Sequence, residues 1–252
     1  QWAALSAVSV NERSLFDRAV ADLSNEATAA HRSFFERLGS VIGAEQTTAD
    51  IRRVLETSTE SGAGASAWWR AASLEGLTDG LDADETDLSA LSSAHEHMFS
   101  TYFETNAPDL RRAYADFLDE VGLPDEAGSD VLQRAVQLAG DTDQDPALRA
   151  DAVRLLGLTE SGEYLDEVKA LINPKEPAPV QTQAVETFGE MDGAAVGEFL
   201  VAQWSTLTPS IRDQAIQLML DTRERKFQLL DAVEAGTVDP TAIPRPDRDG
   251  ML

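Results

Sequence analysis

The sequence predicts an all-α fold, a right-handed α–α superhelix in which successive helix pairs stack side by side. Apolar residues recur three and four positions apart along most of the 252-residue chain, whereas strand-like alternation is scarce. Short connections rich in proline, glycine, asparagine and aspartate separate these apolar stripes. A weak internal repeat follows in the C-terminal half. Together these patterns predict about fourteen helices.

The N-terminal half carries its stripes at helical spacing, one per predicted helix. A first helix is expected over 2–8, and the later stripes are Phe16, Val20 and Leu23; Phe34, Leu38, Val41 and Ile42; Ile51, Val54 and Leu55; Leu88, Leu91, His95, Met98 and Tyr102; and Leu110, Tyr114, Phe117 and Val121. The two longest gaps, 58–65 and 79–86, are Gly/Ser-rich and acidic. Both are predicted to be solvated loops.

The C-terminal half contains three related segments that begin at Pro146, Pro179 and Pro209. The prolines are 33 and 30 residues apart, and the segments share a central alanine: Ala152, Ala184 and Ala215. A small residue there lets a neighbouring helix approach closely. Each segment is followed by a second stripe: Tyr164, Leu165, Val168, Leu171 and Ile172; Val196, Phe199, Leu200 and Trp204; and Phe227, Leu230 and Val233. One helix pair per repeat is therefore expected, and pairs must stack to bury both faces.

These repeats predict a single solenoid over 1–252. A subdivision is the alternative, with irregular helical pairs over 1–107, regular repeats over 108–238 and an extended tail over 239–252. The chain lacks an initial methionine and ends in a proline-rich stretch. We therefore expect it to be an internal or processed part of a longer protein.

The pattern Pro-x-Leu/Ile-Arg-x-x-Ala at 146–152 and 209–215 resembles HEAT repeats. Segments 34–44, 51–55, 68–77 and 229–238 extend this likeness, and most of the chain resembles the HEAT-like region of large exported proteins of Planctomycetes. Those proteins are described as membrane-bound dehydrogenases with a c-type haem-binding domain. The resemblance implies a scaffold between a sugar-dehydrogenase-like propeller and a cytochrome c module, and a periplasmic or otherwise exported location.

Composition excludes several classes of function. The 45 acidic and 20 basic residues give a net charge of −25, which disfavours nucleic acid and anionic membrane as partners. The absence of cysteine excludes disulfides, thiolate zinc sites, cysteine nucleophiles and a Cys-x-x-Cys-His haem site in this segment. No apolar run approaches the roughly 20 residues that span a bilayer. We expect no cofactor, no metal and no transmembrane segment.

Two motifs suggest metal sites only superficially. His95 and His97 point about 200° apart on a helix, so both cannot bind one ion; His95 is expected in the core or an interface, and His97 in solvent. Segment 141–145 has the acidic spacing of a calcium loop, but Pro146 and Ala152 stand where an EF-hand needs glycine and glutamate. A helix cap at Asp145 is the better interpretation, although a weak cation stays possible there and at 79–87.

Segment 62–66 lacks the lysine and the preceding strand of a phosphate loop and is predicted to be a turn. Trp68 and Trp69 are the candidate interaction residues, because adjacent helical positions face different ways and tryptophan is enriched at binding hot spots. One is expected in the core and the other at an interface. Trp204 is expected in the core of a helix pair.

No arrangement of nucleophile and base can be assembled from histidines at 31, 95 and 97. We therefore expect a non-catalytic scaffold that contacts protein partners or flanking domains of its own chain. The alternative is an all-α carbohydrate-binding or carbohydrate-active domain with paired carboxylates in a cleft beside Trp68 or Trp69.

Overall fold

A computed structural model describes residues 12–45, 47–60, 66–83, 86–124, 128–159, 162–190 and 195–245. This part of the chain forms helices and contains no strand, which confirms the all-α prediction. Its thirteen α-helices are α1 Glu12–Leu23, α2 Ala29–Glu45, α3 Thr48–Thr59, α4 Ala67–Gly80, α5 Ser92–Ser100, α6 Pro108–Val121, α7 Gly128–Gly140, α8 Pro146–Gly157, α9 Leu165–Leu171, α10 Ala178–Glu190, α11 Ala195–Ala202, α12 Pro209–Asp221 and α13 Arg223–Glu234. Two 3₁₀-helices span Leu88–Leu91 and Pro240–Ala242. Within these ranges no helix has the length and apolar character needed to cross a membrane.

The helix starts follow the sequence signals. Pro108, Pro146 and Pro209 each occupy the first turn of a helix, where a missing N–H costs nothing. Asp145 and Thr208 cap the free backbone donors of α8 and α12. The helix expected over 2–8 lies outside the described residues.

Both predicted loops begin later than the composition indicates. Ser58 and Thr59 still belong to α3 and are buried, and the Thr59 hydroxyl donates back to the Leu55 carbonyl at 3.1 Å. Asp79 and Gly80 still belong to α4. Local polarity therefore overestimated the solvation of these segments.

The chain divides into two compact units, 1–131 and 132–252. Each unit is described by itself. The single solenoid over 1–252 and its right-handed sense stay predictions.

In the first unit, helices contact their second neighbours as well as adjacent ones. α2 packs on α4 and α4 on α6, while α1 contacts α3 and α3 contacts α5. The helices thus alternate between two layers. Phe16, Phe35, Leu38, Ile51 and Leu74 are fully buried between them.

The contact between α2 and α4 is unusually close, because both helices present glycines at the crossing. A Cβ atom added to Gly39 would lie 2.2 Å from the Ser73 carbonyl oxygen, and one added to Gly76 would lie 1.8 Å from the Glu36 carbonyl oxygen. Gly43 and Gly80 show the same direct approach of backbone to backbone. Any larger residue would push the helices apart.

In the second unit, the first helices of the three repeats, α8, α10 and α12, stack in order, and α11 contacts α13. The central alanines Ala152, Ala184 and Ala215 are fully buried, as the repeat predicts. A Cβ atom added to Gly157 would lie 2.7 Å from Thr187, and one added to Gly189 would lie 2.2 Å from Leu218.

These two contacts are equivalent in the repeat. Each glycine follows its own central alanine by five positions, and each contacted residue follows the next alanine by three. The α8–α10 and α10–α12 contacts therefore use equivalent positions of the repeat.

Each repeat has a long polar side chain three positions before its central alanine. This side chain donates a hydrogen bond to a backbone carbonyl of the chain that precedes the repeat. Arg149 donates to the Ala139 carbonyl at 2.9 Å, Gln181 to the Glu176 carbonyl at 2.6 Å, and Arg212 to the Trp204 carbonyl at 2.9 Å. These donors satisfy carbonyls that a helix end leaves unpaired. In the first unit, Arg111 stands three residues after Pro108 and makes the equivalent bond. It donates to the Thr105 carbonyl at 2.8 Å.

The predicted stripe on α13 is wrong. Phe227 is 53% exposed, whereas Arg225, Leu229 and Ala232 form the buried face. The Arg225 guanidinium is turned inward and donates to the Gly189 carbonyl at 2.9 Å, and Phe227, two positions later, points about 200° away from it on the helix. The segment predicted as an extended tail contains the second 3₁₀-helix, after which Ile243 is buried.

Candidate functional site

The two tryptophans on α4 face different surroundings. Trp69 is 4% exposed, and its ring lies 6.4 Å from that of Phe16 and 5.5 Å from that of Phe35. Trp68 is half-buried and meets Phe35 edge to face at 5.7 Å. Trp69 is thus a core residue and Trp68 is the one with accessible surface, while a binding role for either stays a prediction.

A polar cluster beside Trp69 joins three helices. The Tyr114 hydroxyl donates to the Ser58 carbonyl at 2.8 Å. Burial raises the pKa of Tyr114, so this hydroxyl stays protonated at neutral pH. Arg70 donates to the Glu60 carbonyl and lies 5.5 Å from the Trp69 ring, and burial lowers its pKa. These contacts anchor α6 and α4 to the end of α3.

His95 and His97 occupy the faces of α5 that the sequence predicts. His95 is 9% exposed and meets the Phe117 ring at 6.2 Å, whereas His97 is exposed. Among the residues that the structure describes, no three His, Asp or Glu side chains are grouped to hold a metal ion.

His95 lines a cleft of about 450 Å³ in the first unit. Its polar lining comes from Ser89, Ser92, His95 and Glu96, and its apolar lining from Leu88, Val121, Leu123 and Pro124. The cleft lies where α6 ends beside the first 3₁₀-helix and the start of α5. We call it the His95 cleft.

Three effects act on the pKa of His95. Burial lowers it, and both a hydrogen bond with the backbone of Gly122 and the negative charge of Glu96 raise it less strongly. Burial is the largest of these effects, so the pKa of His95 lies below its ordinary value of 6.5.

Nε2 of His95 is buried and has no hydrogen-bond partner among the described residues. An unpaired buried polar atom costs about 1–3 kcal/mol. The cleft itself presents two serine hydroxyls and one carboxylate, whereas Nε2 of His95 has no accessible surface in it.

The acidic loops form helix caps. Asp145 accepts from the backbone N–H groups of Ala147 at 2.8 Å and Leu148 at 3.3 Å, which confirms the predicted cap. Asp87 accepts from the Ser89 hydroxyl at 2.6 Å and from the Ala90 N–H at 3.3 Å. The Ser89 bond chiefly lowers the pKa of Asp87. In the stretch 79–87, residues 84 and 85 lie outside the described part of the chain.

The glycine-rich segment considered as a phosphate loop also lies almost wholly outside the described residues, which resume at Ser66. Trp204 is buried as predicted, and the Arg212 guanidinium lies 5.9 Å from its ring.

The cleft itself was not foreseen from the sequence. Helical periodicity predicts a buried His95, but Gly122, Leu123 and Pro124 indicate only the end of a helix. His95 and Gly122 are 27 residues apart in the sequence. The end of α6 lies beside the start of α5, and this brings the two residues together.

Comparison of the chain with family models, with curated proteins and with solved structures finds no match.

Proposed function

We propose that this chain is a non-catalytic scaffold and protein-interaction module, and that it forms an internal segment of a larger exported redox or sugar-dehydrogenase-like protein. The observation that supports this most is that α8 contacts α10 and α10 contacts α12 through equivalent positions of the repeat in the second unit. Stacked helix pairs expose long surfaces suited to binding other proteins. The redox and export parts of the proposal rest on the sequence resemblance.

Charge indicates the kind of partner. Several of the 20 basic residues are bound within the fold, among them Arg111, Arg149, Arg212 and Arg225. These guanidiniums thus donate hydrogen bonds to backbone carbonyls, while most carboxylates remain exposed. The surface is therefore more acidic than the net charge of −25 indicates, and it favours a partner with a basic face.

The carbohydrate alternative needs two converging carboxylates beside a tryptophan. The His95 cleft is lined by one carboxylate, Glu96, and by neither Trp68 nor Trp69. This geometry does not favour that alternative.

The proposal is tested by reading the complete gene and by photo-crosslinking its full-length product. A downstream Cys-x-x-Cys-His motif supports the redox assignment, and a gene that encodes no further domain contradicts it. A photoreactive phenylalanine analogue at Trp68 is expected to form mapped crosslinks to a flanking domain or a second protein.

The matched control places the same analogue at Asp166, whose side chain is 96% exposed on α9. Crosslinks found at both positions alike, or only within 12–245, would contradict an interaction surface at Trp68.

A further inference from the structure

We propose that the exposed face of α13 binds the same face of a second copy of this chain, with the two helices antiparallel across a two-fold axis. Self-association at this face goes beyond the proposed scaffold function and does not depend on its redox or export parts.

The exposed face of α13 carries a narrow row of four residues. Arg223, Phe227, Leu230 and Glu234 are spaced four, three and four positions apart, so they lie within about 60° of one another around the helix. Phe227 is 53% exposed, Leu230 is half-buried, and Arg223 and Glu234 are exposed. This is the spacing by which paired helices form a seam. We call the row the α13 outer seam.

The α13 outer seam is complementary to itself. Arg223 and Glu234 are equally far from the midpoint between positions 228 and 229, and so are Phe227 and Leu230. A two-fold axis through this midpoint places Arg223 level with Glu234 of the second copy, and Phe227 level with Leu230 of the second copy. Each contact occurs twice, as a two-fold interface requires. The apolar side chains meet at the centre and the opposite charges at the two ends.

The charge of α13 differs from that of the chain. The helix has three basic and three acidic residues and is therefore neutral, within a chain of net charge −25: Arg223, Arg225, Lys226, Glu224, Asp231 and Glu234. Two copies repel each other over most of their surface. A neutral face with opposite charges at its ends is where a second copy can approach at the least electrostatic cost.

A further helix pair of the same repeat does not fit as the occupant. α8 and α10 present Gly157 and Gly189 to the next helix, each five positions after its central alanine. The equivalent position of α12 is Leu220, whose side chain would keep another helix away from the backbone. The close stacking of first helices therefore ends at α12.

The size of the contact predicts weak association. A helix of 12 residues is about 18 Å long, and one face of it is smaller than the roughly 800 Å² per partner of a standard interface. The test is sedimentation velocity of the whole chain from about 10 µM to 1 mM, the range of weak specific binding. Sodium chloride at about 0.15 M screens the overall repulsion. We expect a sedimentation coefficient that rises with concentration toward that of a dimer.

Exchanging the charges tests the antiparallel arrangement. Arg223→Glu and Glu234→Arg should each weaken association about fivefold or more, because each places like charges together twice. An equal mixture of the two variants should associate within about twofold of the natural chain, since opposite charges then meet at both ends. Both substitutions suit the helix dipole, so the weakening does not come from loss of helix.

The apolar centre has a matched control. Phe227→Ser should weaken association at least about tenfold, since it removes the central aromatic side chain from both copies. Val41 on α2 is the other exposed large apolar side chain among the described residues, and Val41→Ser should change association less than about twofold.

A monomer at every concentration, equal effects of Phe227→Ser and Val41→Ser, or a mixture that associates no better than its two components would each overturn self-association through α13. Those outcomes concern contacts between copies. Failure of the scaffold proposal would instead appear in the crosslinking experiment, which probes Trp68.

Discussion

Buried arginines at the residue scale hold helix ends in place. Arg149 is 1% exposed, donates to the Ala139 carbonyl and forms an ion pair with Glu176 at 2.6 Å. Such a side chain stabilises the fold only while both the guanidinium and its partners are present. If one is removed, the others are left buried without a hydrogen-bond partner.

Arg149→Met should therefore lower the free energy of unfolding by about 3 kcal/mol, because it removes one partner of a buried pair. Chemical denaturation measures this. Arg223→Met is the matched control in the same unit, since Arg223 is exposed and lies 5.6 Å from the ring of the exposed Phe227. It should cost less than about 1 kcal/mol. Equal losses of unfolding free energy in both variants would show that the buried bonds of Arg149 do not stabilise the fold.

His95 should make stability depend on pH. Its folded pKa lies below the ordinary value of 6.5, so the unfolded chain binds this proton more readily than the folded one. Stability should then fall as the pH drops below 6.5 and continue to fall toward the folded pKa.

The measurement compares the natural chain with His95→Phe by denaturation between about pH 7.5 and 5, a range that brackets the histidine pKa. The natural chain should lose more stability than the variant, since their carboxylates are the same. Parallel curves, or a larger loss in the variant, would refute the depressed pKa.

At the scale of elements, close helix crossings determine the spacing of the layers. Gly39 and Gly43 on α2 meet Gly76 and Gly80 on α4 so closely that backbone oxygens occupy the space of a Cβ atom. This spacing cannot be maintained by larger residues without moving a whole helix.

Gly76→Ala should destabilise the chain by about 2 kcal/mol, because overpacking outweighs the better helix propensity of alanine. Gly140→Ala is the control, since a Cβ atom there meets nothing within 4 Å. It should be neutral or stabilising by up to about 1 kcal/mol. Thermal unfolding gives both values, and a stabilising Gly76→Ala would contradict the close crossing.

Helical periodicity and proline positions predicted most elements, because those signals are local. The α2–α4 crossing was not foreseen, since nothing in either glycine pair alone indicates its partner. The α13 stripe was wrong at Phe227 for a related reason: the buried face of the helix contains Arg225, whose partner is the Gly189 carbonyl of another helix. The residues that a helix contacts elsewhere in the fold determine which of its faces is buried.

In the candidate site, too, local sequence patterns predicted some features and missed those that depend on tertiary packing. Periodicity placed His95 inward and His97 outward, and adjacency separated Trp68 from Trp69. The cleft around His95 needs the α6 terminus, whose position depends on the packing of α6 against α4. No local pattern carries that information.

For the whole molecule, excess negative charge opposes folding. A net charge of −25 repels itself in the compact state, and ion pairs such as Arg18 with Asp22 are too exposed to offset it.

Raising sodium chloride from about 0.01 to 0.3 M should therefore increase the melting temperature by several degrees, as the Debye length falls from about 30 Å to below 10 Å. Differential scanning calorimetry measures this. A melting temperature that falls with salt would mean that attractive pairs dominate.

Successive helix pairs of the second unit are predicted to stack by translation. The chain has no cysteine, so pairs of spin labels can be introduced cleanly at Arg154, Glu186 and Gln217, each two positions after a central alanine. The most direct measurement is the set of label distances by electron paramagnetic resonance. Stacking predicts neighbouring pairs at about 10 Å and the 154–217 pair at about twice that distance. A 154–217 distance no longer than those of the neighbouring pairs would mean a closed bundle and would contradict the account.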